Sequence, residues 1–249
     1  MKIIISPAKK MRVENNIMDT AGTPVFLEDT RKLHARLAAL SLSELKELFQ
    51  ANDSITRLNY ERFQTMDLDR GLTPAVLAYV GLQYQSMAPD VFEACQWEYV
   101  REHLCILSGF YGLLRACDGV VPYRLEMQAR LSMGESKDLY EFWGDRLWQE
   151  LTKDDPVVLN LASKEYSRAV EPYIKVPGHL ITCVFGELQK DKVKVKATAA
   201  KMARGDMVRW LAAGRIQDVE RVREYDGMDY RFSEEHSTDT ELVFLKQNL

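Results

Sequence analysis

The stretch LCILSGFYGLLRACDGVVPYRLEMQARLSMGESKDLYEFWGD, Leu104 to Asp145, decides how the rest of the chain is read. Its opening, Leu104 to Leu107, is a short apolar run that breaks into Ser108-Gly109-Phe110-Tyr111-Gly112. That pattern predicts a buried strand feeding a glycine turn, because glycine tolerates the positive φ such turns use. Pro122-Tyr123-Arg124-Leu125-Glu126-Met127 then sets a charge pair among apolar neighbours. Lys137 to Asp145 crowds Lys137, Asp138, Tyr140, Glu141, Trp143 and Asp145 together. Buried charge is costly unless it is paired, so this mixture reads as the wall of a polar cleft.

Working outward, two more runs read as buried strands. Lys2 to Ser6 is β-branched and stops at Pro7, which has no amide hydrogen to donate. Val157 to Ser163 is the second. Ser6, Lys9 and Lys10 therefore follow the end of one strand, and Asn160 and Ser163 lie at the end of another. Open α/β sheets bind ligands at such carboxyl ends. Ser163 serves equally well as a helix N-cap.

Helical spacing covers Thr30 to Gln50, with a capping-box restart at Ser41-Leu42-Ser43-Glu44, and again Ser54 to Phe63 and Pro89 to Glu102. Thr73-Pro74 reads as a helix start. Leu139, Phe142, Trp143, Leu147 and Leu151 share one apolar helix face, and Ala199 to Ala213 forms a late helix carrying Lys201, Arg204 and Arg209. His179 to Leu188 and Val193 to Thr198 predict a hairpin whose second run alternates lysine with valine. Tyr230 to Phe232 and Leu242 to Leu245 supply closing strands. No linker or repeat divides the chain, so residues 1–249 read as one α/β domain, a mixed central sheet with surrounding helices.

Composition narrows the class. The chain has 249 residues, 46% hydrophobic and 28% charged, with no apolar run of the ~18–20 residues that a membrane helix needs. Met1 to Ile5 is too short for a signal-peptide core, and the expected location is cytoplasmic. Cys95, Cys105, Cys117 and Cys183 form no C-x-x-C pair, and His34, His103, His179 and His236 are equally dispersed. No metal site and no cofactor are expected. The net charge of −4 conceals an asymmetry. Ten basic residues oppose four acidic ones between Lys190 and Arg223, whereas seven acids oppose one arginine from Glu224 to Glu241. An anionic partner and a self-paired surface both fit.

Taken together, several motifs resemble the YaaA family of bacterial peroxide-stress proteins. They are Ser6-Pro7-Ala8-Lys9, Leu107 to Arg115, Pro122 to Met127, Leu139 to Asp145, Asn160 to Tyr166, Lys201-Met202-Ala203-Arg204-Gly205 and Glu241-Leu242-Val243-Phe244. One position departs: Gly81 is followed by Leu82, where the resemblance leads to an acidic residue. The resemblance implies an unusual α/β fold with a positively charged cleft and resistance to peroxide through less unincorporated iron. It also implies DNA binding by that cleft and a helix-hairpin-helix-like element, for which Ser108 to Gly112 is the candidate here.

Two functions follow as expectations. A DNA-binding stress protein would use Lys9, Lys10, Ser108, Gly109, Tyr111, Gly112, Arg115, Lys201 and Arg204, with Tyr111, Tyr140 and Trp143 stacking on unpaired bases. Binding would be weak, sequence-tolerant and salt-dependent. An enzyme acting on a small anionic or nucleobase-containing substrate would use Arg124, Glu126, Lys137, Tyr140 and Asp145 as clamp and acid/base groups. In either case Ser6, Trp143, Asn160 and Ser163 would line the cleft.

Overall fold

The three apolar runs around Ile4, Ile106 and Leu159 lie side by side at the centre of an eight-stranded sheet. The computed structural model describes residues 1–14 and 17–247. Its strands are β1 (Lys2–Ile5), β2 (Leu104–Ser108), β3 (Gly112–Arg115), β4 (Val158–Leu161), β5 (Leu180–Gln189), β6 (Lys192–Lys194), β7 (Tyr230–Phe232) and β8 (Glu241–Lys246). The order is β7-β8-β5-β4-β1-β2-β3, with β6 paired to β5. The five inner strands are parallel, while β3 and β7 close the edges antiparallel. Ile3, Ile4 and Ile5 are all fully buried, as a parallel strand covered on both faces requires.

The helices are α1 (Leu27–Ala38), α2 (Leu42–Phe49), α3 (Asp53–Thr65), α4 (Leu82–Met87), α5 (Ala94–His103), α6 (Leu139–Trp143), α7 (Arg146–Leu151), α8 (Lys164–Ser167) and α9 (Ala197–Gly214). The predicted capping box starts α2: the Glu44 amide donates to Ser41 Oγ, and the Ser41 amide donates to Glu44 Oε2 at 2.8 Å. Helix α9 packs along α4, α5 and β5.

Three local expectations are corrected. Thr73-Pro74 pairs with Gly119–Val120 before a one-turn helix, because the Ala75 amide is drawn to the Asp118 carbonyl. The helix predicted from Pro89 is a short 3-10 turn followed by α5, separated where Phe92 turns extended. The strand predicted over Val193 to Thr198 ends at Lys194, and the alanine-rich sequence from Ala197 goes into α9 instead.

Topology fixes where a ligand site belongs. From β1 the chain leaves toward β2 on one side, whereas from β4 it leaves toward β5 on the other. Adjacent parallel strands with diverging exits open a crevice at their carboxyl ends. Here that switch point falls between Ser6 and Ser163.

Candidate functional site

At the switch point the two serines are joined. The Ser163 amide donates to Ser6 Oγ at 2.8 Å, and Ser6 Oγ donates to Ser163 Oγ at 3.2 Å. Tyr84 reaches over from α4 and donates its hydroxyl to the Ser6 carbonyl at 2.9 Å. Ser163 occupies the N-cap position of α8 without making a side-chain cap bond, its hydroxyl being engaged with Ser6. Asn160 is nearly buried; its Oδ1 accepts from the Ala162 amide at 2.9 Å and its Nδ2 donates to Thr182 Oγ1 at 3.1 Å. These groups tie the ends of β1 and β4 together and join β4 to the first part of β5.

Beside them, the segment after Pro122 delivers Arg124 and Glu126. Two cations converge on one carboxylate oxygen: Arg124 Nη2 lies 2.8 Å and Lys9 Nζ 3.1 Å from Glu126 Oε1. The side chains of Arg124 and Glu126 are only 11% and 9% exposed, while that of Lys9 is 64% exposed. Arg124 Nε is buried with no partner. A pair so far removed from water is electrostatically strong, and removing either member leaves an uncompensated charge.

Glu165, on α8, accepts from the Gln128 amide at 3.4 Å. Burial raises its carboxyl pKa, and repulsion from Glu126 adds to the rise, against the pull of the Gln128 amide and Lys9. A cavity of about 650 Å³ opens over this cluster. Lys9, Arg124 and Glu126 form part of its lining, α1 and α2 supply Arg36, Glu44 and Glu47, and the chain from Gln128 to Ser132 adds Arg130. Glu44 is already engaged in the α2 cap.

The backbone beneath explains the glycines. A Cβ on Gly109 would lie 2.6 Å from the Leu125 carbonyl oxygen, so the turn abuts the Arg124–Glu126 segment directly. Gly112 has φ +71° and packs against the Trp143 ring. Trp143 Nε1 donates to the Gly109 carbonyl at 3.1 Å.

From the expected set, Lys9, Arg124 and Glu126 line this cavity, while Ser6, Asn160 and Ser163 stand at the strand ends and are not part of its lining. The structure places the others elsewhere. Ser108, Tyr111 and Trp143 are buried in the core, and the turn they flank joins strands β2 and β3, not two helices. Its amides are used internally: those of Phe110 and Tyr111 donate to Ser108 Oγ at 3.1 and 2.9 Å. Neither that turn, with Gly109 and Gly112, nor the enclosed Tyr111 and Trp143 rings present a free face to phosphate or base.

Arg115 registers with Cys105 near the start of β2, at the opposite end of the sheet, and pairs with Glu150 at 3.3 Å. Lys137 is exposed and ion-paired to Glu141, and Asp145 accepts from Gln149 at 2.6 Å. Tyr140 is half-buried, donates to the Glu165 carbonyl at 2.8 Å and lies under Arg168. Lys10 is exposed where its backbone pairs with Val80. Lys201 is exposed on α9, whereas Arg204 is largely enclosed beside Cys183; burial lowers its pKa, and its Nε has no partner.

The sequence matches the family described as peroxide stress protein YaaA over residues 1–236. The chain belongs to the YaaA family. Similar full-length relatives carry the name UPF0246 protein. One from Lachnoclostridium phytofermentans is 49% identical, covering 99% of this chain and 96% of the relative. One from Pediococcus pentosaceus is 47% identical, over 100% and 99%. One from Lactiplantibacillus plantarum is 48% identical over the full length of both. Family membership thus rests on the whole YaaA-like chain.

Sequence reasoning missed Glu165, Arg36 and Arg130. Glu165 sits inside the Asn160 to Tyr166 motif, two residues from Ser163, and that proximity was the available signal. Arg36 lies within the helical spacing of Thr30 to Gln50, which carries no site signal, and only folding brings it to the same cavity as Arg124.

Proposed function

We propose that this peroxide-stress protein binds DNA through the cleft at the β1–β4 switch point and so helps limit damage from unincorporated iron. One observation carries the reading: Lys9, Arg36, Arg124 and Arg130, drawn from three separate parts of the chain, meet around a single concavity beside Glu44, Glu47 and Glu126. Phosphate recognition needs convergent cations, and guanidinium groups suit it through paired donors. The aromatic platforms expected from the sequence do not enter, so the reading rests on backbone phosphates and is sequence-tolerant. Among the described residues there is no cluster of three or more His, Cys, Asp or Glu side chains for a metal. In this reading, protection from iron acts through the bound DNA.

A second reading has its own support. A cavity of about 650 Å³ lies in the roughly 300–1,000 Å³ range of small-ligand pockets, and its Arg124–Glu126 pair is almost wholly enclosed. A small anionic or nucleobase-containing substrate fits those features, with Arg124 as clamp and Glu126 or Glu165 as the proton-handling group.

Glu126→Gln separates the two, because it removes the charge that occupies Lys9 and Arg124. It also leaves Arg124 without its carboxylate, so binding and survival are compared at a temperature where melting shows the variant folded. Under the DNA reading, duplex affinity rises in a fluorescence-anisotropy titration and peroxide survival is retained. Under the enzyme reading, peroxide survival falls. Lys9→Gln, at an exposed side chain that does not threaten folding, lowers duplex affinity under the first reading. Wild-type protein that fails to bind duplex at low salt would sink it.

A further inference from the structure

Strand β5 outruns its neighbours. Its pairing with β4 ends at Thr182 and its pairing with β8 ends at Gly186, so only β6 accompanies Glu187–Gln189. Because β5 is parallel to β4 and β1, it overshoots at the edge of the sheet that carries Ser6, Lys9 and Ser163. At about 3.3 Å per residue, the hairpin tip stands roughly 23 Å beyond the rung that joins Asn160 to Thr182. From Leu188 to Thr198 every residue is exposed except Val193.

The hairpin has two faces. Val193 lies opposite Leu188 and over Gly186. Lys192 and Lys194, two residues apart, point to the other side. Lys196 pairs with Glu187 at 2.7 Å, but among the described residues Lys190, Lys192 and Lys194 enter no ion pair. The turn is unusual as well. Lys190 and Asp191 have φ of 50° and 60°, the left-handed pair of a type I′ turn that asparagine and glycine favour. A lysine thus holds the tip at a position where the backbone would be easier without it.

We infer that the β5–β6 hairpin is a basic arm that follows the phosphate backbone of duplex DNA held at the cleft, with Lys190, Lys192 and Lys194 each neutralising one phosphate. A two-stranded ribbon also fits the major groove, about 12 Å wide. This inference rests on the DNA reading and adds a second contact surface to it, on the same sheet edge but separate from the Lys9–Arg124 cluster.

The test is the salt dependence of duplex binding by the full chain. Each phosphate contact contributes about 0.9 to the slope of log affinity against log salt. Combining Lys190→Asn, Lys192→Gln and Lys194→Gln should make the slope shallower by about 2.7, three contacts at about 0.9 each. Lys9→Gln should reduce it by about 0.9 through the cleft alone. Lys190→Asn by itself suits the left-handed turn better than lysine, so it should melt no lower than the wild type while still reducing the slope by about 0.9. That single variant carries the test if the triple variant misfolds. Arm variants whose slope superimposes on the wild type, while Lys9→Gln still weakens binding, overturn the arm alone. Wild-type protein without salt-dependent duplex binding overturns both the arm and the cleft.

Discussion

Gly109→Ala tests whether the β2–β3 turn is the template for the cleft. The added methyl would stand 2.6 Å from the Leu125 carbonyl oxygen, 3.0 Å from the Glu126 carbonyl carbon and 3.1 Å from its oxygen. All three are backbone atoms, so no flexible side chain can give way. Ordinary contact begins near 3.4 Å, and the Leu125–Glu126 backbone must retreat by about 0.8 Å. Overpacking of this kind costs about 1–3 kcal/mol. The lower entropy of the unfolded alanine chain returns about 0.4–1 kcal/mol. The midpoints differ by about 1.3 kcal/mol, a net loss equivalent to about 3–5 °C in melting temperature at this chain length. The same movement disturbs Glu126 under Lys9 and Arg124, where contacts of 3.1 and 2.8 Å leave little slack. Calorimetry and duplex titration should therefore change together, although no cleft side chain has been altered. An alanine variant that melts like the wild type and binds duplex equally well would refute the argument.

Other outcomes follow from the same geometry. Ser108→Ala strands the buried amides of Phe110 and Tyr111 and takes one of two partners from the Tyr123 hydroxyl, which keeps the Tyr79 hydroxyl at 2.8 Å, and should cost about 2–4 kcal/mol in denaturant unfolding. The raised carboxyl pKa of Glu165 means that the folded state holds its proton more tightly than the unfolded one. Wild-type stability should thus decline, relative to Glu165→Gln, as pH climbs from about 4.5 through the raised native value; parallel pH–melting curves for the two proteins would contradict this. Burial pushes the Cys105 thiol up to about 12 and raises those of Cys117 and Cys183 as well. Peroxide attacks thiolates, so these three should resist iodoacetamide in the native protein and react on unfolding, as mass spectrometry would show. Rapid native labelling at any of them would mean that the protein meets peroxide through its own sulfur.

The sheet was legible in the sequence because parallel inner strands are buried on both faces and so appear as unbroken apolar runs: Ile3 to Ile5, Leu104 to Leu107 and Val157 to Leu159. The switch-point residues were legible for the same reason, since strand ends are where those runs stop. The turn at Ser108 to Gly112 was misread because glycine between aromatics describes two opposite situations. It can let a phosphate approach the backbone, or it can let the protein's own segments do so. Here Leu125 and Trp143 occupy that space. Lys137 and Asp145 were misread because local charge density says nothing about direction. Each side chain finds a partner four residues along its own chain, Glu141 and Gln149, and faces outward. Arg36 and Arg130 acquire meaning only from packing across the cavity, which no local pattern encodes.

The bond between Ser6 and Ser163 spans 157 positions of the chain. A nascent polypeptide emerging from the ribosome therefore cannot tie the ends of β1 and β4 together until about two thirds of it has been made. Contacts of such long range form slowly, because loop-closure entropy must be overcome first. Shorter or misassembled copies would therefore lack that tie, so its formation marks the point at which β4 has joined the sheet.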